Sequence, residues 1–140
     1  MNSPTPLFEA TRAAVMAMPM AQTLKIEFRR IEPGFVELEI PVQKSFCFRP
    51  GQLQATPVFA AADFAAVVAA RTVLPPGFIN ATIDATLKIV APACGSHLVA
   101  RGRWSAHHAC SQCAPPMCLP WTTALRPCAP RCWAPPATLT

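Results

Sequence analysis

The chain has 140 residues, a formal charge of +5 and 52% hydrophobic residues. That length suits one domain with a core of its own and excludes two of ordinary size. The charge does not describe a nucleic-acid binder, because the cations stand singly among seven acids and Arg29-Arg30 is the only adjacent basic pair.

The first residues, MNSPTPLFEATRAAV, carry no basic segment ahead of an apolar run, so a secretory leader is not expected and the cytoplasm is the expected compartment. Residues 6–18, PLFEATRAAVMAM, set Leu7, Phe8, Ala10, Ala14, Val15 and Met18 near helical spacing, and Pro19 reads as a stop. LKIEFRRIE (24–32) and FVELEIPV (35–42) alternate apolar and polar residues around Pro33-Gly34. They predict a hairpin, with Leu24, Ile26 and Phe28 on one face and Phe35, Leu38 and Ile40 packing nearby.

After a loop rich in Pro and Gly, Thr56-Pro57 opens the apolar stretch VFAAADFAAVVAARTVL (58–74). Thr56 suits an N-cap and Pro57 the first helical position, since a hydroxyl can accept an orphan N–H and Pro has none to leave unsatisfied. Asp63 interrupts the stretch and Arg71 lies near its end, which predicts a core helix rather than a membrane span. The helix ends before Pro75-Pro76-Gly77. INATIDATLKIV (79–90) alternates Ile79, Ala81, Ile83, Ala85, Leu87 and Ile89 with Asn80, Thr82, Asp84, Thr86 and Lys88, and predicts a strand. Cys94-Gly95 reads as a turn and HLVARGRW as the start of another strand. Cys47 and Cys94 have no His near them in sequence and read as small buried or loop residues.

The order helix, hairpin, buried helix and consecutive strands now meets two specific stretches, PGQLQATPVFAAADFAA and NATIDATLKIVAPACGSHLVARGR. Over about residues 7–103 the chain resembles the hotdog thioesterases of the phenylacetyl-CoA and 4-hydroxybenzoyl-CoA branches. The resemblance implies an α+β hotdog fold, an antiparallel sheet wrapped around a long central helix, with acyl-CoA sites formed between two protomers. It implies five main strands, the last two in the middle of the sheet, joining the second to the third. The family's signature is His-Gly-Gly at the helix start and a catalytic Asp or Glu nine residues after the His. Here Gln54-Ala55-Thr56 stands at the first place and Asp63 at the second, with that spacing intact, while the His and both Gly are absent. Thr56-Pro57 also resembles the 4-hydroxybenzoyl branch. The implied partners are an acyl-CoA substrate and a second copy of the chain, as a homodimer or dimer of dimers. No cofactor is implied beyond the CoA of the substrate, nor a metal, nucleic acid or membrane.

Thioester hydrolysis needs a carboxylate to activate water or attack the carbonyl, and donors for the oxyanion that develops. Free N–H groups at a helix start supply such donors, so the N–H of Ala55 or Thr56 is the candidate oxyanion site. Ala in place of Gly keeps the N–H but crowds the approach. Gln54 offers its amide to water or thioester, with an ordinary loop glutamine as the alternative reading. Asp63 lies among Ala61, Ala62, Phe64 and Ala65, where burial disfavours its charge unless a donor lies close. As a helix acid it could equally face a polar side chain across an interface. Eight residues separate Ala55 from Asp63, about 12 Å along a helix at its usual rise. One thioester carbon cannot touch both, so a working site pairs Ala55 of one chain with Asp63 of another. Lys44 and Arg49 are candidates for the CoA phosphates, with plain surface charge as the alternative.

At Trp104 the composition changes in kind. Residues 104–140 contain no Asp, Glu, Lys, Gly, Ile, Val, Phe or Asn, yet hold five of the seven Cys, seven of the 17 Pro and all three Trp. His107, His108, Cys110, Cys113, Cys118, Cys128 and Cys132 suggest zinc, but one CxxC without glycine turns or a second ligand pair is a poor site, so no metal is expected. An odd number of Cys likewise argues against a disulfide scaffold. Every Cys and Trp codon begins TG, so reading one base earlier turns each into a Val, Leu or Met codon. The tail therefore reads as out of frame, poorly ordered, and too rich in Pro to rebuild central strands. The expected function is acyl-CoA thioester hydrolysis by a dimer, impaired in this product by an incomplete sheet. The alternative is a non-catalytic acyl-CoA binding or scaffold protein, motivated by the absent His-Gly-Gly, and it predicts binding without turnover.

Overall fold

The computed structural model describes residues 6–75, 78–82 and 84–105, and the backbone of 121–126. Helix α1 (Pro6–Met16) buries Val15 and packs Phe8 against the core. Pro19 does not simply end it: a second helix, α2 (Pro19–Leu24), begins there, because a first helical position needs no N–H. Ala21 and Leu24 are its buried residues. Leu24 thus closes a helix instead of opening a strand, and Lys25 turns the chain through a left-handed conformation, φ 55°.

Strands β1 (Glu27–Glu32) and β2 (Phe35–Pro41) form the expected hairpin, with Glu32 opposite Phe35 and Gly34 at φ 73° in the turn. The register slips between Phe28 and Arg30, a bulge at Arg29. Its cause is legible in EFRRIE, where two arginines separate the apolar Phe28 and Ile31. One extra residue sends both Arg29 and Arg30 to the outer face while Phe28 and Ile31 stay buried. On β2 the inward residues are Val36, Leu38 and Ile40. Phe35 does not join them, as the sequence reading had it, because an odd position on this strand faces out. Its ring lies 5.3 Å from the Arg30 guanidinium and 5.3 Å from that of Arg103.

A 3-10 turn (Lys44–Phe46) and a short two-stranded hairpin, β3 (Cys47–Arg49) and β4 (Gln52–Leu53), lead into helix α3 (Ala55–Arg71). Cys47 and Cys94 are half-buried, and neither is in a disulfide among the described residues. Strand β5 (His97–Trp104) pairs with β2 from Phe35↔Arg103 to Pro41↔His97. Strand β6 (Trp121–Arg126) pairs with β5, giving the order β1-β2-β5-β6. That is a correction to the reading of the tail, in part: WTTALR lies between Pro120 and Pro127, contains no Pro and has two β-branched Thr, so every N–H of the run is available to a ladder. The seven possible metal ligands of the tail, from His107 to Cys132, lie outside the described residues.

The sheet closes on α3, whose buried face is almost entirely alanine: Ala61, Ala62, Ala65, Ala66, Ala69 and Ala70, with Val58 and Val68. Small side chains let β5 come so close that a Cβ added to Gly102 would overlap the Ala65 carbonyl. Against that face lie Val36, Leu38, Ile40 and Ala100, all at most 1% exposed. The result is an antiparallel sheet around a long apolar helix.

The strand expected over 79–90 does not form among the described residues. Among the described residues of 79–90 there is no regular secondary structure. Side-chain bonds to the helix hold part of this stretch in place of a ladder: Arg71 donates to the Phe78 carbonyl at 2.6 Å, Asn80 to the Val67 carbonyl at 2.8 Å, and Thr82 to Asp63 at 2.6 Å. Each step takes four residues of helix and two of the segment, and four helical residues rise about 6 Å, close to the reach of two extended ones. Residues 78–82 therefore run antiparallel along α3 as a strap.

Candidate active site

The start of α3 differs from expectation by two positions. Gln54, not Thr56, is the N-cap, in extended conformation at φ −67° and ψ 159°. Pro57 is then the third helical residue, which costs no hydrogen bond because the first four N–H groups of a helix have no partner within it. Gln54 makes no side-chain capping bond. Its own N–H is held by the Phe46 carbonyl at 2.8 Å, which ties the helix start to the 3-10 turn. Gln54, Ala55 and Thr56 are all exposed. An uncapped start leaves the Ala55 and Thr56 N–H groups pointing off the helix end with the positive pole of the dipole behind them, a disposition suited to a developing negative charge.

Asp63 stands on the same helix, half-buried. The donor that its apolar neighbours demanded is the Thr82 hydroxyl, 2.6 Å from Oδ1. That leaves Oδ2 for a second partner. Nothing in the sequence marks Thr82 beyond its place as one polar position of an alternating run; the structure alone turns it and Asn80 toward the helix.

Gln54, Ala55 and Thr56 therefore come together, and Asp63 does not join them within one chain. Eight helical residues place it about 12 Å further along the axis. Phe59, one turn before Asp63, is 40% exposed, and Phe78 and Ile79 on the strap are 44% and 81% exposed. Apolar side chains thus stand uncovered along the stretch of α3 that carries the acid. Lys44 and Arg49 are exposed on the segment leading into the helix. A cleft of about 410 Å³ lined by Arg30, Glu32, Gly34, Phe35, Arg103 and Trp104 lies at the opposite end of α3, beside Val73, and includes none of the candidates. Among the described residues no cluster of His, Cys, Asp and Glu could hold a metal ion, and no helix is long and apolar enough to cross a membrane.

The fold recurs in solved structures. A thioesterase family protein from Silicibacter pomeroyi superposes with a TM-score of 0.66 at 23% identity, over 70% of this chain and 72% of its own. The thioesterase HI1161 from Haemophilus influenzae gives 0.69 at 16% identity over 89% and 81%. The chain has the hotdog fold. The PaaI protein of the E. coli phenylacetic acid degradation operon shares the fold too, at 0.62 and 17% identity over 70% of each chain. No family model matches the sequence, and no curated protein matches it. In hotdog terms α3 is the central helix; β5 lies beside β2 as the resemblance implied, whereas β6 ends the described sheet with no further strand beside it.

Proposed function

We propose that this hotdog protein hydrolyses acyl-CoA thioesters as a dimer, with Asp63 of one copy facing the α3 N-terminus of the other. The observation that carries the proposal is the Asp63–Thr82 pair: a half-buried carboxylate on the central helix, fixed through one oxygen and free at the other. The thioesterase neighbours support the reaction class. The uncovered Phe59, Phe78 and Ile79 support a second copy at that face.

In this reading the thioester carbonyl oxygen accepts from the Ala55 or Thr56 N–H of one copy. Oδ2 of Asp63 from the other takes a proton from water as the water oxygen bonds to the carbonyl carbon. The negative charge passes to the carbonyl oxygen, where the helix-end amides stabilise it. Collapse of the tetrahedral intermediate breaks the C–S bond, and the departing thiolate is neutralised by the proton Asp63 holds, leaving a carboxylic acid and CoA. Gln54 orients the water or the thioester by its amide. Thr82 is a positioning residue, keeping Oδ1 occupied so that Oδ2 is the base.

Turnover is expected to be weak, since the Cβ of Ala55 narrows the approach to the amides where the resemblance implies glycine. The test is hydrolysis of a panel of acyl-CoA thioesters by the purified protein and by Asp63→Asn. Turnover that vanishes in the variant supports the proposal, whereas CoA-thioester binding without turnover in the parent protein replaces it with a binding role.

A further inference from the structure

The cleft of about 410 Å³ at the far end of α3 is built by the sheet and the helix end together. The Gly34 N–H donates to the Thr72 hydroxyl at 2.7 Å, that hydroxyl donates to the Ala69 carbonyl at 2.6 Å, and the Trp104 N–H donates to the Gly34 carbonyl at 2.8 Å. The β1-β2 turn, the end of α3 and β5 are thereby tied to one another. Walls held in this way are in place before a ligand arrives, and the volume suits a small organic molecule.

Strand register sets the chemistry of the lining. Phe35 has Glu32 opposite it on β1 and Arg103 opposite it on β5, and the guanidiniums of Arg30 and Arg103 both lie 5.3 Å from its ring centroid. Arg30 donates through Nε to Glu32 at 2.7 Å, which engages the acid of the lining. Two guanidiniums and one carboxylate leave the lining with a single positive charge, and Arg103, which is exposed, carries it. Phe35, Val73 and Trp104 supply an apolar wall beside that charge. Trp104 also holds a buried indole N–H with no hydrogen-bond partner among the described residues, where buried donors ordinarily have one.

We infer that this cleft binds a small organic monocarboxylate, its carboxylate taken by the Arg103 guanidinium and its apolar body laid against Phe35, Val73 and Trp104. The planar fork of Arg matches a carboxylate through two parallel bonds, and the aromatic wall matches a flat or aliphatic body. One negative charge neutralises the lining, whereas a phosphate dianion would bring an excess of negative charge beside Glu32. The indole N–H of Trp104 is the remaining donor of that wall. The site stands apart from Gln54, Ala55, Thr56 and Asp63 within the chain, and the inference holds whether or not the protein turns over thioesters.

The experiment titrates the full chain with benzoate, acetate and inorganic phosphate and follows the indole N–H signals of its three Trp in proton–nitrogen correlation spectra. Trp104→Phe identifies the Trp104 signal by its loss; if that variant does not fold, calorimetry with the same three anions takes the place of the spectra. Benzoate is expected to move the Trp104 signal saturably, and acetate, which lacks the apolar body, to bind about tenfold more weakly. Arg103→Gln should weaken benzoate about tenfold, and Glu32→Gln, which removes the acid of the lining, should tighten it about threefold, with circular dichroism confirming both folds. No saturable response to benzoate, equal binding by Arg103→Gln, or phosphate bound as tightly as benzoate overturns the inference.

Discussion

The Thr82 hydroxyl donates to Oδ1 of Asp63 at 2.6 Å across 19 residues of sequence, joining the middle of α3 to the strap beside it. That bond sorts the two carboxylate oxygens into one that is held and one that can act.

Asp63→Asn keeps the size and the bond from Thr82 but removes the base. Turnover of any accepted acyl-CoA is expected to fall by about 10²–10⁴-fold, the usual contribution of a positioned general base, with little change in KM. Steady-state kinetics on protein with an unchanged circular dichroism spectrum would check it, and an unaltered kcat would remove Asp63 from the mechanism.

Thr82→Val deletes the hydroxyl at nearly constant volume. A lost hydrogen bond to a charged group amounts to about 1.5 kcal/mol or more, so kcat should drop by about tenfold with KM steady, and Thr82→Ser should restore it. Asn80→Ala, which loosens the same strap without touching Asp63, is the control. An equal loss in both variants would mean that the strap, and not the carboxylate, is what Thr82 serves.

Gly102→Ala tests the packing of sheet on helix. Its methyl group would meet the Ala65 carbonyl, a backbone atom that cannot rotate away. Overpacking of this kind costs about 1–3 kcal/mol, which should appear as a lower midpoint of chemical denaturation. A midpoint equal to that of the parent would show that β5 and α3 are less closely apposed.

Much of this fold was legible because single residues decide it. Pro33-Gly34 between two alternating runs specified the hairpin, and the alanine-rich run after Thr56-Pro57 specified the central helix. Gln54, Ala55, Thr56 and Asp63 could be singled out only through the resemblance, since no property of an exposed Gln-Ala-Thr marks it as a site. What escaped the sequence has physical causes. The bulge at Arg29 depends on how Phe28 and Ile31 both reach the core, which a simple period of two cannot express. The stretch 79–90 has the pattern of a strand, but pattern does not specify a partner, and here Asn80 and Thr82 find theirs on α3. The tail's prolines argued against any strand, while the six residues of β6 that contain none pair with β5.

The central claim is that the acid and the oxyanion amides come from different copies, and complementation tests it most directly. Ala55→Pro removes one N–H at the first helical position, where Pro is favoured, and Gln54 before it already has the extended conformation that a following Pro requires. Alone, Asp63→Asn should be inactive and Ala55→Pro slower by about 10²–10³-fold, the usual cost of one lost oxyanion donor. Mixed in equal amounts and allowed to exchange subunits, they should recover about a quarter of the parent rate, because half the dimers are mixed and each of those has one intact site of two. No recovery after exchange has been demonstrated by mass-tagged subunits, or full activity in a strictly monomeric parent, would contradict it.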